Sequence, residues 1–264
     1  MNAYATVDLL KSAGVLNITG TANDARLRAA LENASRWIDR SCNRHFYALA
    51  ATRVFDGDGS PALLIPDLAA ITSLKTDEDR DRTHEVTWTA GDYFLLPGNA
   101  DPASSGNPLS RPYTKVEADP NGTRQAFPAG RQTVQITGHW GWWRHLRRAT
   151  ETLGEALDSS ETGVDVSART DIQAGHTLLV DSEQMYVESY AGNTLTVRRG
   201  VNGTTAAAHD SGAAIDIYEY PGPVQEAALI QSARLWRRRD SAGIGCGLDA
   251  DVEAVLGMYR RRGV

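Results

Sequence analysis

The sequence predicts an α+β protein: helices from the two chain ends form a helical core, and antiparallel β segments are inserted between them. Three observations carry this expectation. Apolar residues recur at helical spacing near both ends, as Leu27, Leu31, Ala34 and Ile38 and again as Val224, Ala227, Ala228, Leu229, Ile230, Ala233, Leu235 and Trp236. Between those segments the chain consists largely of short strand-like runs punctuated by Gly, Pro, Asp and Asn. The links joining the runs from 51 to 141 are too short for crossover helices, so that stretch should be antiparallel. Four regions follow: 1–50, an N-terminal helical part of the core; 51–141, an antiparallel β region; 142–220, a helix plus a small inserted β module; and 221–264, C-terminal helices completing the core, with an Arg-rich tail.

Taken in order, Thr6 to Gly14 reads as a short helix with Thr6 as N-cap and Gly14 as its stop. Thr21-Ala-Asn-Asp24 has capping-box spacing, with Asp in place of Glu. The helix that follows has Ala30 and Trp37 widening its apolar stripe, which calls for partners on more than one side. Thr52–Phe55, Ala62–Ile65, Ala70–Leu74, Glu85–Trp88, Tyr93–Leu96, Tyr113–Val116 and Thr133–Thr137 read as strands. Leu146–Leu157 reads as a helix. Ile172–Val180, Gln184–Glu188, Thr194–Val197 and Ala214–Tyr218 form the β module, with a Gly192-Asn193 hairpin turn. Pro223 suits the first turn of the long C-terminal helix, and Ser241–Gly247 ends it. Val252, Val255, Leu256 and Tyr259 share one stripe of a last amphipathic segment before Arg260-Arg-Arg262.

Composition excludes several function classes. A net charge of −6 over 264 residues argues against a protein that coats nucleic acid. The tail is the exception, with seven arginines against four acids from Arg234 to Val264. Cys42 and Cys246 stand far apart and fit no zinc spacing; two core thiols in a reducing compartment are the expected state, and a bridge between them stays open. No run approaches the ~18 apolar residues of a membrane span, and no signal peptide opens the chain.

Candidate chemistry is sparse. Asp56-Gly-Asp-Gly59 begins like a calcium loop, but Pro61 and Asp67 occupy positions that need Gly and Glu, so it reads as a hairpin turn. The acidic run Asp77–Asp81 reads as a solvated loop, and solvation also accounts for Asp181 and Glu183. The six histidines lack metal-binding spacing, and neither a nucleophile elbow nor a phosphate loop is present. No cofactor and no catalytic or metal-binding residue is therefore assigned. His139 and His145 flank Trp140, Trp142 and Trp143, a cluster that fits either a binding face or core plus a strand end. Arg237-Arg-Arg239 and Arg260-Arg-Arg262 lie at helix C-termini, where the helix dipole accounts for only one or two of each three. The surplus points to an anionic partner, DNA backbone or acidic protein.

Several segments together resemble the head–tail connector (adaptor, or head-completion) proteins of long-tailed bacteriophages and prophages. They are Tyr4–Leu10, Asp24–Tyr47, Leu63–Leu68 with Ile71–Leu74, Val134–Gly141, and Ala227–Ser241 with its Arg-Leu-Trp-Arg-Arg-Arg-Asp-Ser. The resemblance implies a helical connector core and a non-enzymatic virion protein of the neck, made in the host cytoplasm. It implies a dodecameric ring of identical copies under the portal protein. That ring would extend the channel for genomic DNA, touched without sequence preference, and hold the next neck or tail-completion protein. Ring or portal contacts would then come from Leu27, Leu31, Trp37, Ile38, Leu229, Ile230, Leu235, Trp236, Val255, Tyr259, Arg260, Arg261 and Arg262. Arg237, Arg238 and Arg239 would face the DNA channel or an acidic partner. The β module at Asp165–Tyr218 departs from short members of the family. A tail-associated module binding glycan or protein, and a virion-associated hydrolase, are the competing readings.

Overall fold

The computed structural model describes residues 2–105, 110–238 and 247–261. The chain divides into two compact units, Met1–His45 with Leu146–Val264, and Phe46–His145.

The Phe46–His145 unit is one open antiparallel sheet. Its strands are β1 (Leu49–Gly57), β2 (Ala62–Thr76), β3 (Val86–Trp88), β4 (Tyr93–Leu96), β5 (Tyr113–Ala118) and β6 (Gly130–Trp140), in the order β1-β6-β2-β5-β4 with β3 on β2. Period-two alternation sends Leu63, Ile65, Leu74, Val116, Val134 and Ile136 to a common core with Trp88, Phe127 and Trp140. Trp140 is fully buried, and its indole N–H donates to the Ala51 carbonyl at 2.8 Å.

The other unit combines helices with a barrel. Its helices are α1 (Val7–Lys11), α2 (Asp24–Cys42), α3 (Gly222–Arg237) and α4 (Ala250–Val255), the last running into a 3₁₀ turn at Leu256–Tyr259. Its strands are β7 (Leu146–Thr152), β8 (Gly163–Asp165), β9 (Thr177–Val180), β10 (Glu183–Ala191), β11 (Thr194–Arg198) and β12 (Ala214–Tyr218), ordered β7-β12-β9-β10-β11-β8. The two end strands meet just beyond their termini. Leu153 bridges Val166, the Gly154 N–H donates to the Asp165 carbonyl at 2.7 Å, and the Ser167 N–H donates to the Thr152 carbonyl at 3.0 Å. The sheet thereby closes on a core that includes Leu153, Ile172, Met185, Val187, Leu195 and Ile215.

The expected helical core is overturned. Two six-stranded antiparallel sheets dominate the described residues, and the helices form part of one unit. The wide apolar stripes of α2 and α3 are spent on each other and on α1, α4 and β10. The helix expected over 146–157 is also corrected. Leu146, Ala149, Leu153 and Leu157 fall at helical spacing, but Ala149, Glu151 and Leu153 are buried while Arg148 and Thr150 are exposed, the alternation of a strand.

Smaller expectations resolve individually. Thr6 caps α1, accepting from the Leu9 N–H at 3.3 Å, but that helix ends at Lys11, before Gly14. No capping box forms at Thr21: Asn23 is the N-cap of α2 without a side-chain bond, and Asp24 pairs with Lys11 at 2.7 Å. The Asp56–Gly59 turn is not a hairpin, because β1 and β2 lie on either side of β6. The Gly192-Asn193 hairpin forms, with Ala191 opposite Thr194.

Candidate assembly surface

Helix α3 packs on α2, and the tail returns to the same place, the Arg261 N–H donating to the Cys42 carbonyl at 2.9 Å. The predicted contact residues separate into two groups. Leu27, Leu31, Ile38 and Leu229 are buried inside the unit, so their apolar surface is already used. Trp37, Ile230, Leu235, Trp236 and Tyr259 are half-buried, Val255 is exposed, and Met258, absent from the expected set, is 76% exposed. Trp37 lines a groove of about 460 Å³ with Arg40, Ser41, Leu248 and Glu253. Ile230 lines another of about 280 Å³ with Val15, Ala233 and Arg237.

The arginines are largely engaged within the chain. Arg237 donates to the Val15 carbonyl at 2.8 Å. Arg238 makes a two-pronged contact with Asp249 at 3.0 and 3.1 Å, and Arg234 reaches both Asp249 and Asp251. Arg260 spans Ser41 and Glu253, each at 3.1 Å. The acids of the tail thus supply counter-charges for part of the arginine surplus, a pairing that residue counts do not show. Arg239, Arg262 and Cys246 lie outside the described residues, whereas Cys42 is buried, and burial pushes its thiol up to about 11.

A second cluster ties the N-terminal segment to α2. Tyr4 donates its hydroxyl to Asp39 and its N–H to the Ser35 hydroxyl, and Arg36 pairs with Asp39 at 3.0 Å. Burial raises the Asp39 carboxyl to about 7, against the opposing pull of Arg36 and the Tyr4 hydroxyl.

The nearest approach to a catalytic constellation lies in the barrel. Glu183 opens β10 with no exposed surface, and Arg199 grips both its oxygens at 2.7 and 2.8 Å. The Gly200 and Ala207 N–H groups donate to the same carboxylate at 2.9 and 3.0 Å. His209 places one ring nitrogen 2.9 Å from Glu183 and the other 2.7 Å from Asp181. Burial pushes the Glu183 carboxyl up, but Arg199, His209 and the two backbone donors outweigh it and hold it at about 2. Arg199 also donates to the carbonyls of Asp158, Glu161 and Ala207. Glu183 and Arg199 are engaged on all sides, Asp181 stays largely exposed, and among the described residues no hydroxyl or thiol bonds to His209; the arrangement pins the loop from Arg199 to His209. Solvation therefore does not account for Glu183. A buried carboxylate at a strand start, with a partner Arg sixteen residues on, has no signature in local periodicity.

Of the tryptophan cluster, Trp140 belongs to the core, Trp143 is buried, and half-buried Trp142 packs against Phe46 with ring centroids 6.3 Å apart. In the acidic loop Asp77 is buried rather than solvated, accepting from the Arg80 and Arg82 N–H groups at 2.7 and 2.9 Å. Asp77, Asp79, Asp81 and Glu85 bring one oxygen each within 4.8 Å of one another, a set that could hold a cation. Their oxygens already accept loop N–H groups, which accounts for the cluster as a turn. Among the described residues, no helix is long and apolar enough to cross a membrane. Comparison of the chain with protein-family models, curated proteins and solved structures finds no match.

Proposed function

We propose that this chain is a structural subunit of a bacteriophage neck, a head-to-tail adaptor that assembles as a ring on the portal, continues the DNA channel and carries the next neck protein. One observation supports the reading above others. The two chain ends pack together as helices whose apolar side chains stay partly open, at Trp37, Ile230, Trp236, Val255 and Met258, with Arg237 and Arg260 on the same helices and tail. Partly open apolar groups rimmed by charge are the composition of a protein–protein contact. The reading needs no helical core; it needs only that this surface meet the portal. The glycan-binding alternative keeps the β module and half-buried Trp142 but not Trp140 and Trp143, which are buried. The hydrolase alternative draws no support from the centre at Glu183, whose carboxylate and Arg199 hold a loop.

The test is light scattering of the purified chain alone and with its cognate portal, followed by particle imaging. Rings seated on the portal are expected. Met258→Asp should weaken portal binding without lowering the melting temperature, because its side chain is open. Truncation from Asp249 would be a poorer probe, since Val252 and Leu256 are buried. A chain that remains monomeric beside the portal refutes the reading.

A further inference from the structure

Two Asn-Gly pairs stand in the chain, Asn121-Gly122 and Asn202-Gly203, and the fold treats them in opposite ways. Asparagine is thermally labile because its side-chain amide can be displaced. A following glycine speeds that loss, since without a Cβ its backbone nitrogen can swing onto the preceding side chain. Asn202 is held away from the reaction. Its amide donates to the Asn2 oxygen at 2.9 Å and to the Gln184 oxygen at 2.8 Å, and its own oxygen accepts from the Asn2 amide at 2.7 Å. Residue 202 is half-buried, so this network ties the loop after β11 to the N-terminal segment.

Asn121 lies in the turn that follows β5, and its side chain is open. The Gly122 N–H donates to the Asp119 carbonyl at 2.9 Å, and the Asn121 N–H donates to the Asp119 carboxylate at 2.8 Å. The side chain of residue 121 is exposed, and among the described residues nothing bonds to its amide. Packing requires the glycine beside it. A Cβ on residue 122 would lie 3.0 Å from the Asp92 Cα and 3.1 Å from the Gly91 carbonyl oxygen. The turn is pinned there by Asp92, a buried carboxylate that accepts from the N–H and the hydroxyl of both Thr89 and Thr123. Close approach of two backbones thus selects the residue type that leaves Asn121 most reactive.

We propose that Asn121 is a site of spontaneous deamidation and that Asn202 is protected from it. The Gly122 nitrogen loses its proton to solvent base and attacks the Asn121 Cγ. A new N–C bond forms, the Cγ–Nδ2 bond breaks, and the amide takes up a proton and leaves as ammonia. Water then opens the cyclic imide: attack at Cγ gives aspartate, and attack at the main-chain carbonyl gives isoaspartate. Reaction at Asn121 needs only the single turn bond of Gly122 to open, whereas at Asn202 the side chain must first break three hydrogen bonds. Either product sets a new carboxylate beside that of Asp119. Isoaspartate also adds a main-chain atom ahead of Gly122, where Asp92 leaves no room, so the clamp from Thr89 through Asp92 to Thr123 loosens.

The experiment incubates the folded full chain in mildly alkaline buffer and follows both asparagines by peptide mass spectrometry, with enzymatic methylation to detect isoaspartate. The peptide holding Asn121 should gain the mass of an amide-to-acid exchange and accept methyl groups. Its rate should exceed that at Asn202 roughly tenfold or more, because three hydrogen bonds guard the second site. In concentrated urea the two rates should converge, since the pairs are chemically alike once unfolded. Asn121→Gln should remove the modification and leave the melting temperature unchanged, the side chain being open. Asn2→Ala should raise the rate at Asn202, because it deletes two of the three guarding bonds. Equal rates in the folded chain, or a folded chain modified first at Asn202, overturn the assignment. So does an Asn121 that stays intact when folded and reacts only in urea, which would make the Gly122 turn bond sufficient protection.

Discussion

The two six-stranded sheets of this chain solve the same problem in opposite ways. The barrel of β7–β12 closes, so every strand has two neighbours, and its loops are held by a buried ionic centre. The sheet of β1–β6 stays open, fills its core with aromatic and aliphatic side chains, and leaves two edges with apolar groups in the open. Closure removes edges and with them any tendency to recruit a strand. An open sheet retains that capacity. The barrel hides its strand edges, and the open sheet does not.

The largest expected effect would break the barrel side of this comparison. Glu183→Ala leaves the Arg199 guanidinium, only 6% exposed, without its carboxylate, and orphans the Gly200 and Ala207 N–H groups. Removing one partner of a buried ion pair costs about 3–5 kcal/mol. Urea unfolding should report that loss. The same centre sets an acid limit. The Glu183 carboxyl is held at about 2, below its ordinary value of 4.5, so its contribution is complete above 4.5 and disappears as pH falls toward 2. Unfolding measured between pH 6 and 2 should show a steeper acid loss for wild type than for Glu183→Gln; parallel curves would remove Glu183 from the acid limb.

A middle-sized effect sharpens the open-sheet side. A side-chain carbon at Gly138 on β6 would sit 2.3 Å from the Ala70 carbonyl oxygen of β2. That is backbone against backbone, so Gly138→Ala must spread two paired strands, at a cost of about 1–3 kcal/mol. Protection of amides from hydrogen exchange should fall along β2 and β6 while the barrel keeps its own. Loss in both sheets would show that the two units unfold as one.

Much of this comparison was legible in the residues, and its limits are physical. Most strands of both sheets announced themselves by alternation and by turn residues, as Tyr93–Leu96 and Ala214–Tyr218 did to the residue. What misled was weight. The stripes of α2 and α3 are strong because those helices are long, whereas β8, with three residues, gives no periodic signal at all. Leu146–Leu157 fits helix and strand patterns equally well until neighbours decide, and here β12 decides. Glu183, Arg199 and His209 are scattered along the chain, and only barrel closure brings them together. The open edges were invisible for a similar reason: an edge is defined by the strand that is absent beside it.

The smallest expected effect is the most telling about the open sheet. Val54 and Phe94 point away from its core, so replacing either by lysine removes little packing from the isolated chain. Substitutions at such open positions stay within about 0.5 kcal/mol. Calorimetry at a concentration too low for assembly should therefore place Val54→Lys and Phe94→Lys within about 2 °C of wild type, the shift that a few tenths of a kcal/mol gives in a chain of this size. A larger drop would mean that these side chains stabilise the single chain, and their exposure would then have nothing to do with neighbours. A negligible drop means that open apolar area persists on a stable fold without contributing to it. Isolated apolar side chains of this kind are common on protein surfaces, so their retention needs no partner to explain it.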